Sequence, residues 1–419
     1  NPVSNTTYTI NTVADLNCIN VSTASAKVYV GPITYAGTID NACVGDVITI
    51  PFTVESFEQV GYIALTLDYL PGVLTYIPGS ADFNDDLGSG FNVDVNTPGR
   101  LKVSGYTPDY VPGVGLDDGD TLFTVDFTYH GGSTPLTWYD PTSDPSKCEY
   151  GSGWPDYVEY CDTPIETYYK NGSVSGYPRP TVVVSGTNTI CNGQSTDVSF
   201  NFTGTAPWNL TYTVNGVEQQ VVTTSDDPYI LTVNPIANTT YLATALSDAN
   251  CASWAGDITG SAVVTVNPTP MISFGFNGVE AGHNASFTYC YDQPVGVTLF
   301  ANYGGTAPFS VTYTLDGGAP VTVGGLYVGS TIVDPQYYDA GNHYVVVTDI
   351  VDANGCHATN EFLSYCTATI TINALPIVTD VTLQASVGTT PGASSWFVGG
   401  TYPSFNMCKI GRASCRERV

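Results

Sequence analysis

Hydrophobic and polar residues alternate along several short segments of this chain. Residues 48–54 carry an apolar side chain at every second position, and residues 123–129 do the same. A period of two residues is typical of a β-strand with one buried face. Two further buried faces are predicted to consist of Val198, Phe200 and Phe202, and of Trp208, Leu210, Tyr212 and Val214. No window of a dozen residues has helical periodicity, so the chain is predicted to be all-β, with tandem β-sandwiches.

The chain also contains internal repeats. Residues 1–18 and 234–251 align without a gap and share the words Asn-Pro, Asn-Thr-Thr-Tyr and Asp-x-Asn-Cys, and a degenerate copy covers residues 334–356. The word Gly-Thr-Ala-Pro at residues 204–207 recurs at residues 305–308. The copies lie roughly 100 residues apart, which is the length of one β-sandwich domain. The Asn-Pro word at residue 234 is preceded by a long segment of the same repeat, whereas the first Asn-Pro word stands at residue 1. We therefore expect the chain to begin inside its first domain.

Proline clusters near residues 178, 269 and 376 indicate short, stiff linkers between domains. The predicted organisation is half of a truncated repeat (1–31), a longer domain that does not match the repeat (32–177), two full repeats (178–268 and 269–375) and the start of a truncated β module (376–408). Residues 409–419 hold four of the ten basic residues and resemble a translated sequencing adapter. A basic nucleic-acid or membrane tail is the alternative interpretation of this segment.

The composition excludes some classes of partner. Charged residues make up 11% of the chain, and the net charge of −28 reflects a shortage of Lys and Arg. A nucleic-acid partner is not expected, because phosphate groups need basic side chains to neutralise them. No uninterrupted apolar run approaches the length of about 18 residues needed to span a bilayer.

Eleven cysteines at positions that recur with the repeats suggest disulfides and an extracellular or periplasmic location. The predicted bonds are Cys191–Cys251, Cys290–Cys356 and Cys148–Cys161. The sequence leaves open the partners of Cys18, Cys43, Cys366 and Cys408. Zinc binding is the competing explanation, but the chain has no Cys-x-x-Cys pair and its histidines are scattered.

Four ordered motifs in residues 32–177 point to a known family. They are Val44-Gly45-Asp46-Val47-Ile48-Thr49-Ile50-Pro51, Tyr69-Leu70-Pro71-Gly72-Val73-Leu74, Gly119-Asp120-Thr121-Leu122-Phe123-Thr124-Val125-Asp126-Phe127 and Asn171-Gly172-Ser173-Val174. This segment resembles a cohesin domain, which implies a nine-stranded jelly-roll sandwich. The resemblance also implies a scaffolding role, since cohesins bind a calcium-loaded dockerin module through one sheet face.

The repeats on either side resemble the Cys-containing immunoglobulin-like or PKD-like modules of surface and adhesin proteins in gliding-type Bacteroidota. The words that carry this resemblance are Ile-Cys-x-Gly-Gln-Ser, Gly-Thr-Ala-Pro-[Trp/Phe] and Asp-x-Asn-Gly-Cys. They consist of turn residues and a cysteine, and they describe a structural module rather than a site.

A contact face is predicted on the cohesin-like domain. Its outward residues are expected to be Tyr62, Ala64, Thr66 and Asp68, together with Asn92, Asp94, Lys102 and Ser104. Where dockerin-binding cohesins tend to have Asn and Asp, this chain has Tyr62 and Ala64, and Leu70 replaces the usual Asp before proline. This departure argues against the usual dockerin contact, and a merely solvated sheet face is the alternative interpretation.

Two acidic loops are candidate calcium sites, and calcium is the one cofactor considered. The first contains Asp82, Asn84 and Asp86, and the second contains Asp117, Asp118 and Asp120. The first loop fails the EF-hand pattern, because Leu87 stands at its sixth position and Val93 at its twelfth. Solvated turns are the alternative for both loops.

The loop between Cys148 and Cys161 contains three aromatic residues that are candidates for stacking on a sugar, namely Trp154, Tyr157 and Tyr160. Loop aromatics that cap the edge of a core are the alternative. No histidine stands in a recognisable nucleophile context, so no catalytic residue is predicted.

The sequence therefore predicts a non-catalytic part of a large extracellular bacterial surface or adhesin-type protein. Its immunoglobulin-like repeats would form a stalk, and its cohesin-like domain would recognise a dockerin-like protein module or a glycan. An accessory region of a secreted polysaccharide-degrading enzyme is the first alternative. A structural filament subunit is the second.

Overall fold

The computed structural model describes residues 5–107, 113–139, 141, 148–155, 157–282 and 284–377. Strands account for almost all of their regular structure, and the two α-helices in these residues have four residues each. The predicted all-β class is therefore confirmed. The chain divides into two units, which consist of Asn1–Ser185, Ser199–Tyr229 and Tyr241–Ser261, and of Gly186–Val198, Ile230–Thr240 and Ala262–Val419. A search of the described helices finds none with the length and hydropathy of a membrane span.

Residues 6–28 form two short antiparallel ladders. Their strands are β1 (Thr6–Thr9), β2 (Thr12–Ala14), β3 (Ile19–Val21) and β4 (Ser25–Val28). β1 pairs with β4, and β2 pairs with β3. The apolar side chains of Val13, Leu16 and Ile19 are exposed, so residues 5–31 do not close a sandwich by themselves.

Residues 33–177 form a sandwich of two sheets. Its elements are β5 (Ile33–Ala36), β6 (Thr38–Cys43), β7 (Val47–Glu55), β8 (Phe57–Asp68), β9 (Leu74–Tyr76), β10 (Asp82–Phe83), β11 (Phe91–Asp94), β12 (Arg100–Tyr106), β13 (Val114–Leu116), β14 (Thr121–Tyr129), β15 (Ser133–Trp138), β16 (Glu149–Ser152), α1 (Ile165–Tyr168), β17 (Tyr169–Lys170) and β18 (Gly172–Tyr177). One sheet has the order β10-β14-β7-β5-β17, with β9 also paired to β14. The other has the order β11-β12-β8-β15-β18-β6, with β13 and β16 also paired to β8.

The first and last strands of this sandwich close both sheets. β5 pairs in parallel with β17 in one sheet, and β6 pairs in parallel with β18 in the other. The chain passes between the sheets at Gly37 and again at Asn171. Parallel closure of two otherwise antiparallel sheets gives a jelly roll, the architecture that the cohesin resemblance implies.

Aromatic rings fill the core between these two sheets. Phe52 and Phe123 stack with ring centroids 4.4 Å apart, and Trp138 meets Phe52 edge-on at 5.7 Å. The buried hydroxyl groups of Tyr150 and Thr34 lie 2.7 Å apart and satisfy each other. Full burial of a large apolar side chain, such as that of Phe52 or Phe123, contributes about 1.5–3 kcal/mol to stability. The apolar positions of residues 48–54 and 123–129 all face this core, as their alternation predicts.

The next segment adds ten strands, which belong partly to each unit. They are β19 (Val182–Ser185), β20 (Asn188–Cys191), β21 (Thr196–Phe202), β22 (Trp208–Val214), β23 (Val217–Glu218), β24 (Val222–Thr224), β25 (Tyr229–Val233), β26 (Thr239–Ser247), β27 (Ile258–Gly260) and β28 (Ala262–Asn267). β19 pairs with β21 and β27, and β22 pairs with β23, β24 and β26. β20 pairs in parallel with β28.

The predicted inner face of β22 is only partly correct. Trp208 and Leu210 are buried, but a bulge between Thr211 and Tyr212 shifts the register. An inserted residue reverses the side-chain alternation beyond it. Thr213 is therefore buried instead of Tyr212 or Val214. The Asn-Gly pair after β22 forms the connection to β23, with both residues at positive φ.

Residues 271–373 form a second complete sandwich. Its elements are β29 (Met271–Phe276), β30 (Val279–Ala281), β31 (Ala285–Cys290), β32 (Val295–Gly304), β33 (Phe309–Leu315), β34 (Val321–Leu326), β35 (Thr331–Gln336), β36 (Gly341–Val351), α2 (Asn360–Leu363) and β37 (Thr367–Asn373). The sheets have the orders β30-β29-β32-β35 and β31-β37-β36-β33-β34. β31 and β37 pair in parallel, as β20 and β28 do.

The repeated sequence words contact each other in the fold. In one copy the backbone N–H of Thr205 donates to Asp248 Oδ2 at 2.8 Å, and in the other the N–H of Thr306 donates to Asp352 Oδ2 at 2.9 Å. The Gly-Thr-Ala-Pro word and the Asp-x-Asn-Cys word therefore hold two loops together. Their recurrence reflects a structural requirement, which agrees with the interpretation drawn from the sequence.

The predicted disulfide pairings are wrong. The structure contains the bonds Cys43–Cys251 and Cys191–Cys356 instead of Cys191–Cys251 and Cys290–Cys356. The prediction assumed a bond that joins the two sheets of one sandwich. Cys191 instead ends β20 beside the last residue of β28, at the edge of the sheet rather than between sheets.

The predicted Cys148–Cys161 bond is also wrong. Cys161 is exposed and has a free thiol. Cys148 is buried, and its sulfur lies within hydrogen-bonding distance of the Thr66 and Tyr139 carbonyl oxygens. The two residues are therefore held at different places, one against β8 and the other in a bridge with Val30. Cys408 and residues 409–419 lie outside the described residues.

Candidate recognition site

The predicted contact residues share one face of the sheet β11-β12-β8. Strand register places Asp94 opposite Lys102 and Lys102 opposite Thr66. A second row consists of Asn92, Ser104, Ala64 and Glu149. Thr66 is 3% exposed and so cannot offer its side chain to a partner.

An ion pair closes one end of this face. Arg100 donates to both carboxylate oxygens of Asp68, at 2.6 and 2.8 Å, and its guanidinium lies 3.6 Å from the centroid of the Tyr139 ring. The hydrogen bond to Asp68 raises the pKa of Arg100 further above its already high value. Asp68, a predicted contact residue, is thus already engaged within the sheet.

Aromatic and acidic residues form a cleft at the opposite end of the face. The rings of Tyr62 and Tyr106 stack with centroids 4.9 Å apart, and Tyr106 is 64% exposed. The cleft has a volume of about 320 Å³ and is lined by Tyr62, Tyr106, Glu149, Gly151, Ser152, Tyr157, Val158 and Glu159. Burial and a hydrogen bond to Glu149 raise the pKa of Tyr62, so its phenol stays neutral at physiological pH.

Strand β16 brings the aromatic loop to this cleft. β16 pairs with β8, with Gly151 opposite Tyr62, and the chain returns through Tyr157. Tyr157 is 61% exposed and lines the cleft beside Tyr62. The sheet face and the aromatic loop, which are separate candidates in the sequence, meet at this cleft in the fold. Tyr106, Glu149 and Glu159 were not predicted.

The other two loop aromatics have different environments. Trp154 is 43% exposed and does not belong to the cleft lining. Tyr160 is 3% exposed, stacks on Tyr29 at 5.1 Å, and donates its hydroxyl hydrogen to the Gln59 carbonyl at 2.7 Å. Tyr160 caps the edge of the core, so the structure removes it from the set of sugar-stacking candidates.

The two candidate calcium loops are built as turns. Asn84 accepts a hydrogen bond from the Asp86 N–H and donates to the Thr121 carbonyl, which caps a one-turn 3-10 helix. In the second loop Asp120 accepts from the Asp117 N–H, and Asp118 accepts from the Ser56 N–H. Within the described ranges, no group of three or more His, Cys, Asp or Glu side chains is arranged to hold a metal ion.

A larger cavity of about 450 Å³ lies in the second sandwich, between β29 and β37. Its lining is mostly aliphatic and aromatic. Its charged residue, Glu280, accepts hydrogen bonds from Ser273 at 2.8 Å and from Tyr303 at 2.7 Å. The Tyr62 cleft is the better candidate for recognition, because it adjoins the predicted contact face and carries the exposed rings of Tyr106 and Tyr157.

Each histidine among the described residues has a hydrogen-bond partner. Both ring nitrogens of His343 are occupied, one by Asp316 at 2.8 Å and the other by the Asp339 carbonyl at 2.9 Å. His130 pairs with Thr75, and His357 pairs with Asp349. A base for nucleophilic attack needs one nitrogen directed at the nucleophile. His343 has none left for that role.

Comparisons with known proteins find structural neighbours only. No family model matches the sequence, and no curated protein matches it. The chain is similar to the sixth cohesin of Acetivibrio cellulolyticus scaffoldin B, solved in complex with a Cel5 dockerin, with 17% identity over 35% of this chain and 99% of that one and a TM-score of 0.27.

Two further solved structures are similar over the same share of the chain. A non-cellulosomal cohesin from Archaeoglobus fulgidus has 22% identity over 34% of this chain and 89% of that one, with a TM-score of 0.26. A cohesin module from a Clostridium perfringens family 33 glycoside hydrolase has 13% identity over 35% and 98%, with a TM-score of 0.26. Scores of this size carry no argument, so the jelly-roll assignment rests on the strand order of residues 33–177.

Proposed function

We propose that the sandwich of residues 33–177 recognises a partner protein module through the outward face of β11, β12 and β8. The convergence of Tyr62, Tyr106 and Tyr157 at one end of that face carries the proposal. Tyrosine supplies large contact area at low entropic cost and is enriched in interface hot spots. Such a cluster at one end of an outward sheet face suits contact with a protein surface.

The cohesin resemblance of the sequence supports a protein partner of the dockerin kind. The motifs that carry it lie in β7, in the segment before β9, in β14 and at the start of β18. Because Tyr62 and Ala64 replace the residues typical of dockerin-binding cohesins, the partner would differ in its contact residues.

A glycan is the second candidate partner. Tyr106 and Tyr157 are both more than 60% exposed and flank a cleft that also contains Glu149 and Glu159. Aromatic faces can stack on sugar rings, and carboxylates can accept hydrogen bonds from sugar hydroxyl groups. This arrangement favours a small glycan at the cleft alone, without a role for the rest of the face.

Binding assays with the full chain separate the two candidates. The chain is presented to a panel of calcium-loaded dockerin modules and to a glycan array, each with wild type and the Tyr106→Ala variant. We expect a dockerin-type module to bind and Tyr106→Ala to weaken that binding at least tenfold, because loss of a hot-spot ring costs about 2 kcal/mol. Tyr337→Ala, which removes an equally exposed ring from the second sandwich, should bind as wild type.

The outcomes differ for each candidate. Binding to glycans with loss in Tyr106→Ala supports the second candidate, and binding to neither panel refutes recognition at this face. An equal effect of Tyr106→Ala and Tyr337→Ala would also refute it.

We further propose that the chain belongs to an extracellular, non-catalytic surface protein. Two disulfides among the described residues support an oxidising location. The immunoglobulin-like repeats would serve as a stalk that presents the cohesin-like domain. Flanking coding sequence tests this context: further repeats with a sorting domain favour an adhesin, and a catalytic domain favours an accessory region of a polysaccharide-degrading enzyme.

A further inference from the structure

Three cysteines occupy the same position in three successive modules. Each ends the early strand that pairs in parallel with the last strand of its module, and each stands opposite the final residue of that last strand. The register pairs are Cys43 with Tyr177, Cys191 with Asn267, and Cys290 with Asn373. We call these three the turn cysteines.

The turns that follow them are also the same. In each, the cysteine N–H donates to the side chain of the residue three positions later. The acceptors are Asp46 at 3.2 Å, Gln194 at 3.1 Å and Gln293 at 3.2 Å. In each, the backbone N–H of that later residue donates back to the cysteine carbonyl. These hydrogen bonds hold the cysteine beside the C-terminal residue of the last strand of its module.

Three other cysteines share a different geometry, and we call them the loop cysteines. Each follows an aspartate whose Oδ1 accepts a hydrogen bond from the cysteine N–H. The pairs are Asp15 with Cys18 at 2.7 Å, Asp248 with Cys251 at 2.6 Å, and Asp352 with Cys356 at 2.9 Å. In all three, the aspartate N–H also donates to the cysteine carbonyl, at 2.8 to 3.0 Å.

The two disulfides join one class to the other across a linker. Cys43–Cys251 connects a turn cysteine of the 32–177 module to the loop cysteine of the 178–268 module. Cys191–Cys356 connects a turn cysteine of the 178–268 module to the loop cysteine of the 269–375 module. Neither bond lies inside a single predicted module. Both bonds join a turn cysteine to the loop cysteine of the following module.

We infer a general rule in which the turn cysteine of each module forms a disulfide with the loop cysteine of the next module. By this rule, Cys18 forms a disulfide with the turn cysteine of another module of this kind. Cys290 has the turn geometry and is the matching site for a loop cysteine. Each bond forms from two thiols, which give up two protons and two electrons to a disulfide oxidant such as oxidised glutathione, itself reduced to two thiols.

The other cysteines that the structure describes lack these features. Cys161 is exposed with a free thiol but stands in neither the turn nor the loop. Cys366 follows α2, where its sulfur donates to the Phe362 carbonyl, so it has neither the turn nor the loop geometry. The rule therefore distinguishes Cys18 from an equally accessible cysteine in the same chain.

A second copy of the chain serves as the probe for Cys18. The full chain, with Cys408→Ser and Cys415→Ser, is incubated at high concentration in a buffer of reduced and oxidised glutathione. Peptides are then mapped by mass spectrometry without reduction. We expect Cys43–Cys251 and Cys191–Cys356 within each chain, and covalent dimers whose linked peptides join Cys18 of one copy to Cys290 of another.

Variants distinguish this bond from random oxidation. Cys18→Ser should abolish the dimers, and Cys161→Ser should leave them unchanged. Asp15→Ala should lower the dimer yield at least threefold, because it removes the acceptor that positions the Cys18 backbone. Three results would overturn the rule: Cys18 linked equally to Cys161 and Cys290, Cys18 recovered only as a glutathione adduct, or Cys191 linked to Cys251.

Discussion

One arginine makes several contacts with residues that are distant from it in the sequence. Arg179 donates to Asp257 at 2.7 Å, lies 3.9 Å from the centroid of the Trp254 ring, and donates to the Val44 carbonyl. The Trp254 ring in turn packs so closely on Gly45 that a Cβ there would lie 2.4 Å from it. The planar guanidinium suits this combination of stacking and directed hydrogen bonds, which a lysine could not reproduce.

The Arg179–Asp257 pair predicts a pH dependence of stability. The hydrogen bond from Arg179, followed by that from the Trp254 N–H, lowers the pKa of Asp257 below 3.8. A lowered carboxyl pKa contributes stability that is present above the unfolded pKa and is lost as the pH falls through the folded pKa. We expect Asp257→Asn to lower the free energy of unfolding at pH 7 by about 1–2 kcal/mol.

Acid titration of unfolding checks this contribution. The difference between wild type and Asp257→Asn should shrink as the pH falls below about 4, the ordinary pKa of an aspartate. Asp226→Asn, at an exposed position, is the matched control and should track wild type throughout. A constant difference across the acid range would show that the ion pair does not carry the effect.

At the scale of elements, the pairing of β18 requires glycine at two of its positions. A Cβ on Gly172 would lie 2.1 Å from the Gly37 carbonyl oxygen, and one on Gly176 would lie 1.9 Å from the Ala42 carbonyl oxygen. Both contacts are with backbone atoms in β6 or in the residue just before it, and β6 is the strand that pairs with β18. Since backbone atoms cannot move aside as a flexible side chain can, glycine is required for the parallel closure.

Replacement of one of these glycines tests the closure. We expect Gly172→Ala to lower the stability of the jelly roll by about 1–3 kcal/mol, the usual cost of overpacking, and to lower the midpoint of thermal unfolding. Gly72→Ala is the matched control, because a Cβ there meets nothing within 4 Å. Equal midpoints for the two variants would show that the closure accommodates a side chain at Gly172 and does not require glycine there.

These elements show what the sequence could and could not predict. Alternation identified strands such as β7 and β14, because burial on one face imposes a period of two along the chain itself. The bulge in β22 was missed, since it depends on the register with β26. The sequence could have predicted Tyr106 as an outward residue, because it continues the alternation of Lys102 and Ser104.

Long-range pairing explains the larger errors. Glu149 and Glu159 join the cleft because β16 pairs with β8, and their own sequence carries no signal of that partner. The disulfide errors came from the assumption that a bond joins the sheets of one sandwich. The similarity between Cys43-Val-Gly-Asp and Cys191-Asn-Gly-Gln was visible and would have placed Cys43 in the same class as Cys191.

At the scale of the whole molecule, the two disulfides limit how far the chain can be extended. Between Cys43 and Cys356 the shortest covalent path runs through both bonds and through the segment from Cys191 to Cys251. That segment contains about 60 residues (251 minus 191), whereas the backbone between the outer cysteines contains about 313 (356 minus 43). A pulling force is therefore carried by the short path through the two bonds, and most of this backbone bears no load.

Single-molecule stretching of the full chain from its termini measures this limit. At about 3.4 Å per residue, the oxidised segment should extend to about 200 Å and the fully reduced one to about 1,060 Å. Cys191→Ser keeps the first bond and leaves about 105 residues (356 minus 251), so its extension should be about 360 Å. An oxidised chain that extends as far as the reduced one would contradict the observed connectivity.

The overlap of the two bonds has a further consequence for survival among proteases. A single cut between Cys43 and Cys191, or between Cys251 and Cys356, is spanned by one bond, and a cut between Cys191 and Cys251 is spanned by both. One hydrolysed peptide bond anywhere in this interval therefore leaves the two fragments covalently attached. A chain linked in this way would stay in one piece after damage that severs a chain without such bonds.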